Sequence, residues 1–246
     1  MYMIPKIIHQ TWKTTTVPEK WKEAVDSCKR LHPDYQYLLW TDQDMDDFVK
    51  EEYPDFYKTY TSYKYHIQRC DAFRYLVLHK YGGVYIDMDM VCNQKLDDLL
   101  HYDVVIAPSI NVGNVFTNSF FMSAPNHPFF KYCIDQLPTH THTYRYFGKH
   151  NHVMNSTGPL FLTNRLSEYG KIKNGRYLSN EEFNGDCSIC NETACKGGVY
   201  FTHIAGNSWH EIDSTIYNFA LCNRNKILLG IFLSAALLVY FRKKRR

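Results

Sequence analysis

Two carboxylates two residues apart, Asp87 and Asp89, close the stretch KYGGVYIDMD at residues 80–89. Val84, Tyr85 and Ile86 have the β-branched and aromatic character of a strand, entered through the Gly82-Gly83 turn. Side chains two apart on a strand share a face, so the pattern places Asp87 and Asp89 together on one rim. Paired hard oxygen donors suit Mg²⁺ or Mn²⁺, ions that proteins hold through one or two carboxylates plus substrate phosphates. A bare Asp-x-Asp is also an ordinary solvated strand end, and short motifs carry false positives. Upstream, Asp71, Arg74 and Tyr75 sit three or four residues apart, on one face of a helix. Asp71 and Arg74 read either as a surface ion pair of little energetic weight or as a pair facing a cleft under the glycine turn.

The elements that must position these groups follow in order. Residues 4–12, IPKIIHQTW, read as a buried first strand with Trp12 at its exit. In open α/β sheets ligands bind beyond the carboxyl ends of the strands, which would let Trp12 stack on a nucleotide base; a core or rim tryptophan is the plainer reading. Residues 18–31 have helical spacing, residues 35–40 form a second strand, and Thr41 caps a helix over 43–53 that Pro54 breaks. A longer helix spans 62–81. Strands follow at 103–108 and 118–123, then a helix within 125–137. Residues 139–152 hold His140, His142, His150 and His152 at irregular spacing without carboxylate partners, and read as a mobile polar loop. The turn at 155–159 caps a helix over 160–169, and a late strand covers 199–203. Alternating strands and helices in the first hundred residues predict an α/β fold, a mostly parallel sheet with helices on both faces.

The 246 residues are 45% hydrophobic and 16% aromatic, which is enough to bury a core and excludes a disordered chain. Net charge is +3, part of it the terminal RKKRR at 242–246, so the body is near neutral and shows no nucleic-acid footprint. Of eight cysteines only Cys187, Cys190 and Cys195 cluster. Their spacing is a weak zinc signal; a loop disulfide in an oxidising compartment, or free thiols elsewhere, are the alternatives. The first residues show no signal peptide. Near the other end, residues 227–241 form an uncharged run, ILLGIFLSAALLVYF, with Arg224 and Lys226 before it and the basic tail after it. A run of this kind with snorkelling flanks is expected to be a single-pass membrane anchor over residues 226–241. A C-terminal anchor without a signal peptide favours a cytosolic domain, whereas the positive-inside tendency of the tail favours the opposite side. Asn155 and Asn191 begin N-x-[ST] sequons, which matter only for a lumenal domain.

Several segments, in order, resemble the retaining glycosyltransferases of the Asp-x-Asp sugar-transferase type (glycosyltransferase family 32). These include fungal initiating α-mannosyltransferases and inositol-phosphoceramide mannosyltransferases. The segments are IPKIIHQTWK at 4–13, LLWTD at 38–42, CDAFRYLVLHKYGGVYIDMD at 70–89, NSFFMSAPNHPF at 118–129, TGP at 157–159 and HIAGNSW at 203–209. The resemblance implies a single GT-A domain, Rossmann-like, over residues 1–220. It implies Trp12 stacking on the base, Tyr85 lining the nucleotide-sugar pocket, and Asn118 among the substrate-binding residues. Asp71 and Arg74 would grip the donor sugar and its phosphate, and Asp87 would contact ribose, sugar or metal. Asp89 would ligate Mn²⁺ or Mg²⁺, with His203 as a further ligand, and Ser208 and Trp209 would close on the diphosphate. The implied reaction moves a hexose, first of all mannose from GDP-mannose, to a glycan, glycolipid or protein-linked acceptor. A UDP-linked galactose, glucose or N-acetylglucosamine donor is the alternative within enzymes. A catalytically silent carbohydrate- or lipid-binding module is the alternative outside them, and the intact set of Asp71, Arg74, Asp87 and Asp89 counts against it.

Overall fold

The β-branched pair Ile7-Ile8 sits in β1 (Ile7–Thr11), the strand around which one half of the main sheet is built. The structure is a computed structural model and describes residues 3–109, 115–191, 195–204 and 209–244. The chain divides into Met1–Trp209 and His210–Arg246. After β1 come α1 (Glu19–Leu31), β2 (Gln36–Trp40), α2 (Asp42–Glu52), α3 (Pro54–Ser62), α4 (His66–Tyr81), β3 (Gly83–Ile86) and β4 (Met90–Cys92). Then follow β5 (Val104–Pro108), β6 (Phe116–Ser123), α5 (Pro128–His140), α6 (Gly148–Ser156), α7 (Pro159–Tyr169), β7 (Gly175–Tyr177), α8 (Asn180–Phe183) and β8 (Phe201–His203).

Six strands form one sheet in the order β2-β1-β3-β6-β5-β7, and β4 pairs with β8 in a second. β1 runs parallel to β2 and β3, as the alternating pattern predicts, but β6 is antiparallel to both β3 and β5. Five of the six strands therefore run in one direction, the mostly parallel sheet that the pattern predicts, with β6 alone reversed. Residues 109–115 between β5 and β6 are too few for a crossover, and short connections join antiparallel neighbours. The period of two sorts the strands between two cores. Tyr85, Val104, Ile106 and Phe121 pack on one face with α4, α5 and α7, and Val84, Ile86, Val105, Phe120 and Met122 pack on the other.

Two local expectations change. Pro54 does not only end α2: it is the first residue of α3, where its missing N–H costs nothing. Residues 139–152 are not a mobile polar loop throughout, because α6 begins at Gly148 and buries His150 and His152.

The glycine turn is dictated by space. Gly82 and Gly83 take φ of +65° and +94°. A Cβ on Gly82 would lie 2.7 Å from both the Ser123 carbonyl and the Pro125 nitrogen, and one on Gly83 would lie 2.7 Å from the Ile7 carbonyl. Only glycine permits this backbone and this approach. Beneath the turn His9 is fully buried; its Nε2–H donates to the Gly82 carbonyl at 2.9 Å while its Nδ1 accepts from Trp40 Nε1 at 3.1 Å. Burial pushes His9 down to about 4 from an ordinary 6.5. The folded state thus keeps His9 neutral where the unfolded chain binds a proton, so its contribution is complete above about pH 6.5 and is lost as pH falls towards 4. We expect roughly 3 kcal/mol of acid destabilisation from this group. Urea midpoints of the wild type should fall across that window, and those of His9→Gln should fall less.

Cys28 of α1 is bonded to Cys92 of β4, with Cα atoms 4.9 Å apart across 64 residues, and Cys187 is bonded to Cys195. The second bond consumes two of the three clustered thiols and removes the zinc reading. Closing a loop of this length is expected to stabilise the fold by about 4 kcal/mol. A Cys28→Ser/Cys92→Ser chain should show that loss in its denaturant midpoint, and an unchanged midpoint would contradict it.

The second unit consists of α9 (Ile212–Cys222) and α10 (Arg224–Lys244). The expected helix over 226–241 is present. No helix among the described residues is long and apolar enough to cross a membrane. The uncharged run extends about 22 Å as a helix, against about 30 Å of bilayer hydrocarbon.

Candidate active site

α4 is apolar on most of its circumference and is buried between the sheet and α5. Asp71 and Arg74 are therefore not a surface ion pair. Their side chains are 4% and 7% exposed, and Arg74 NH1 lies 3.3 Å from Asp71 Oδ1. Asp71 is held from two further directions. Asn118 Nδ2 donates to Oδ1 at 2.9 Å and Thr157 Oγ1 donates to Oδ2 at 3.0 Å. Arg74 NH1 also donates to the Asn118 carbonyl at 2.7 Å, and its NH2 lies 3.0 Å from Asp87 Oδ1. The guanidinium rests 4.9 Å from the Tyr85 ring centre. Tyr85 OH donates to the same Asp87 oxygen at 2.8 Å and lies 3.0 Å from Thr11 Oγ1. One cation thus ties the helix carboxylate to the first carboxylate of Asp-x-Asp.

β3 ends at Ile86, so Asp87 and Asp89 do not share a strand face as the spacing predicts. The chain turns between them, with the Met90 N–H donating to the Asp87 carbonyl at 3.2 Å, and then enters β4. That turn brings Asp89 to β8. Met90 pairs with His203, the Ile204 N–H donates to the Asp89 carbonyl at 2.8 Å, and His203 Nε2 lies 3.4 Å from Asp89 Oδ2. Side-chain exposures of 26% for Asp87, 16% for Asp89 and 27% for His203 leave these groups reachable from outside.

Burial pushes Asp87 up to about 7, and the neighbouring Asp89 charge adds to this; Arg74 and the Tyr85 hydroxyl oppose it. Burial likewise raises Asp71, against Arg74, Thr157 and Asn118. The carboxylates outnumber the one guanidinium among them, an imbalance of the sign that favours a cation. Among the described residues Asp89 Oδ1 is buried without a hydrogen-bond partner, and a buried carboxylate oxygen left so is costly. Two carboxylates and an imidazole are donors of a kind that divalent ions accept. These residues fit Mn²⁺ or Mg²⁺, although no three His, Cys, Asp or Glu side chains among the described residues already converge on one point.

The other expected site residues fall in three places. Tyr85 and Asn118 are buried inside the Asp71–Arg74–Asp87 network, where each donates a hydrogen bond to one of its carboxylates. Trp12 is half-buried and packs edge-on against Trp21, 4.8 Å between ring centres. Trp209 stacks on His150 of α6 at 5.7 Å. Ser208 lies outside the described residues. Sequence reading placed His9 and Thr11 at the exit of the first strand, within IPKIIHQTWK, and quoted Thr157 within TGP, without giving any of the three a role.

A sequence family described as a glycosyltransferase sugar-binding region containing the DXD motif matches residues 18–106. The chain is 39% identical to inositol phosphoceramide mannosyltransferase 3 of Schizosaccharomyces pombe, over 97% of this chain and 65% of that protein. It is 36% identical to inositol phosphoceramide mannosyltransferase 1 of the same yeast, over 100% of this chain and 76% of the relative. The chain belongs to the DXD glycosyltransferase family. DXD glycosyltransferases typically bind a divalent metal, in keeping with the Asp87–Asp89 pair. The fold is GT-A-like: the glycosyltransferase GlyE of Streptococcus pneumoniae superposes with a TM-score of 0.51 at 12% identity, covering 94% of this chain and 64% of that one.

Proposed function

We propose that this protein transfers a mannosyl group from GDP-mannose to an inositol phosphoceramide-type glycolipid, with a divalent cation at Asp89. The observation that carries the reading is the Asp71–Arg74–Asp87 network set beside the unpaired Asp89 oxygen, in a chain whose whole length aligns with 76% of inositol phosphoceramide mannosyltransferase 1. Asp89 and His203, with Asp87, would hold the ion, which supplies charge neutralisation for the leaving nucleoside diphosphate. Arg74 fixes the orientation of Asp87 and balances the buried Asp71. Asp87 and Asp89 add negative potential where the sugar centre becomes oxocarbenium-like. Family resemblance adds retention at the anomeric carbon.

The test is to incubate the full chain with Mn²⁺, inositol phosphoceramide and GDP-mannose, in parallel with UDP-galactose, UDP-glucose and UDP-N-acetylglucosamine, and to weigh the lipid product. A product heavier by one hexose from GDP-mannose alone is expected. Transfer from a UDP-sugar instead would overturn the donor, and absence of donor binding would return the protein to the silent binding module. The same reading includes membrane association through the apolar run of α10. It also includes an oxidising compartment around the catalytic unit, supported by the Cys28–Cys92 bond. Cys28 and Cys92 of protein drawn from cells should then resist alkylation until reduced.

A further inference from the structure

The segment between α5 and α6 presents large aromatic side chains to solvent. Tyr144 is 52% exposed, Phe147 68% and Tyr146 85%. Such a cluster loses hydrophobic free energy in water and marks an interaction surface. It is not a slack loop. Tyr144 takes a φ of 54°, the Phe147 N–H donates to the Tyr144 carbonyl at 2.9 Å, and Asn151 Nδ2 donates to the Phe147 carbonyl at 3.0 Å. The Tyr144 and Phe147 rings meet edge to face at 5.7 Å.

A buried polar chain ties this segment to the catalytic helix. His152 Nδ1–H donates to the Thr143 carbonyl at 2.7 Å, and its Nε2 accepts from Gln68 of α4 at 3.2 Å. Gln68 also donates to Ser156 Oγ at 2.7 Å, next to the Thr157 that holds Asp71. Tyr65, at the N-terminal end of α4, meets the His152 ring at 5.9 Å and lies under Lys64 Nζ at 4.9 Å. Tyr65 and Asp71 are about 9 Å apart along the helix axis. The aromatic segment is therefore tied by hydrogen bonds to the helix that carries Asp71 and Arg74.

The segment and the stretch before α4 carry no acidic residue of their own, although Asp42 reaches His66 at 3.2 Å and Asp46 accepts from Tyr57 at 2.9 Å. Residues 136–167 contain no Asp or Glu, nor do residues 56–70, while Lys64 and Arg145 are exposed. Aromatic rings interleaved with cations are the composition of a surface that sits at the headgroup level of an anionic bilayer.

We propose that Tyr144, Tyr146 and Phe147, with Arg145 and Lys64, form a docking surface for a bilayer containing anionic lipid. It holds the mouth of the active site against the membrane in which the acceptor lies. Only that delivery role rests on the glycolipid reading above; the docking itself does not.

Binding of the full chain to phosphatidylcholine vesicles with and without phosphatidylinositol tests it, using neither donor nor acceptor. Lys64→Gln/Arg145→Gln should weaken association with the anionic vesicles about 25-fold. Tyr146→Ala/Phe147→Ala should weaken it about tenfold. The emission added by Phe147→Trp should be quenched by brominated phosphatidylcholine in anionic vesicles. Donor hydrolysis by these variants should stay at the wild-type rate while transfer to vesicle-borne acceptor falls. Unchanged binding to the anionic vesicles by either double variant, or absence of added quenching in vesicle-bound protein, would each overturn the proposal. None of these outcomes bears on whether GDP-mannose is the donor.

Discussion

Asp89→Ala should lower metal-dependent turnover by about 10³-fold, the scale of removing one group that stabilises developing charge in a transition state. The stability of the variant should not fall. Asp89 Oδ1 is buried without a partner, and the carboxylate stands beside Asp87, which its charge helps to push up to about 7. Removing a buried, incompletely paired anion relieves desolvation and like-charge repulsion together. The measurement is donor turnover at saturating Mn²⁺ beside a urea titration of the same protein. Loss of turnover with an equal or higher midpoint is expected. Wild-type turnover would sink the metal assignment, and a collapsed midpoint would show that Asp89 is structural.

Arg74→Met should do the opposite to stability. Arg74 is the one cation between Asp71 and Asp87, and it also caps the Asn118 carbonyl. Its removal leaves carboxylates buried without their counter-charge, at a cost of about 3–5 kcal/mol. For a chain of this size that is a fall in Tm on the order of 10 °C. Adding Asp71→Asn should return part of the lost stability, because the two sites share one network and are not additive, while turnover stays lost. A stable Arg74→Met single variant would mean that the pair is not electrostatically buried. Full activity in it would mean that the orientation of Asp87 does not depend on Arg74.

Both expectations concern residues that the sequence already singles out, and the size of each effect depends on surroundings that the sequence does not show. Asp71 and Arg74 stand three apart on a helix, which puts them on one face whatever surrounds them. Whether that face meets water or protein is settled by Asn118 and Thr157, 47 and 86 residues further along the chain from Asp71. The same is true of Tyr85. Its place on a strand follows from its neighbours, and its complete burial under Arg74 follows from the packing of α4 on the sheet. The strand expected to carry both carboxylates ends at Ile86 because β4 must leave the main sheet to pair with β8. No local pattern encodes that partner.

What the sequence determined by itself was local and chemical. Periodicities of two and near four marked most strands and helices, the paired glycines marked the turn at Gly82-Gly83, and hard oxygen donors at Asp87 and Asp89 marked the kind of ion they would attract. Only the tertiary structure decided the direction of β6, the bond between Cys28 and Cys92, the exposed aromatic segment before α6, and which charged groups are buried. Those outcomes depend on contacts between residues far apart in the chain. A side chain's charge is written in its own residue, but its solvation is set by what folds over it.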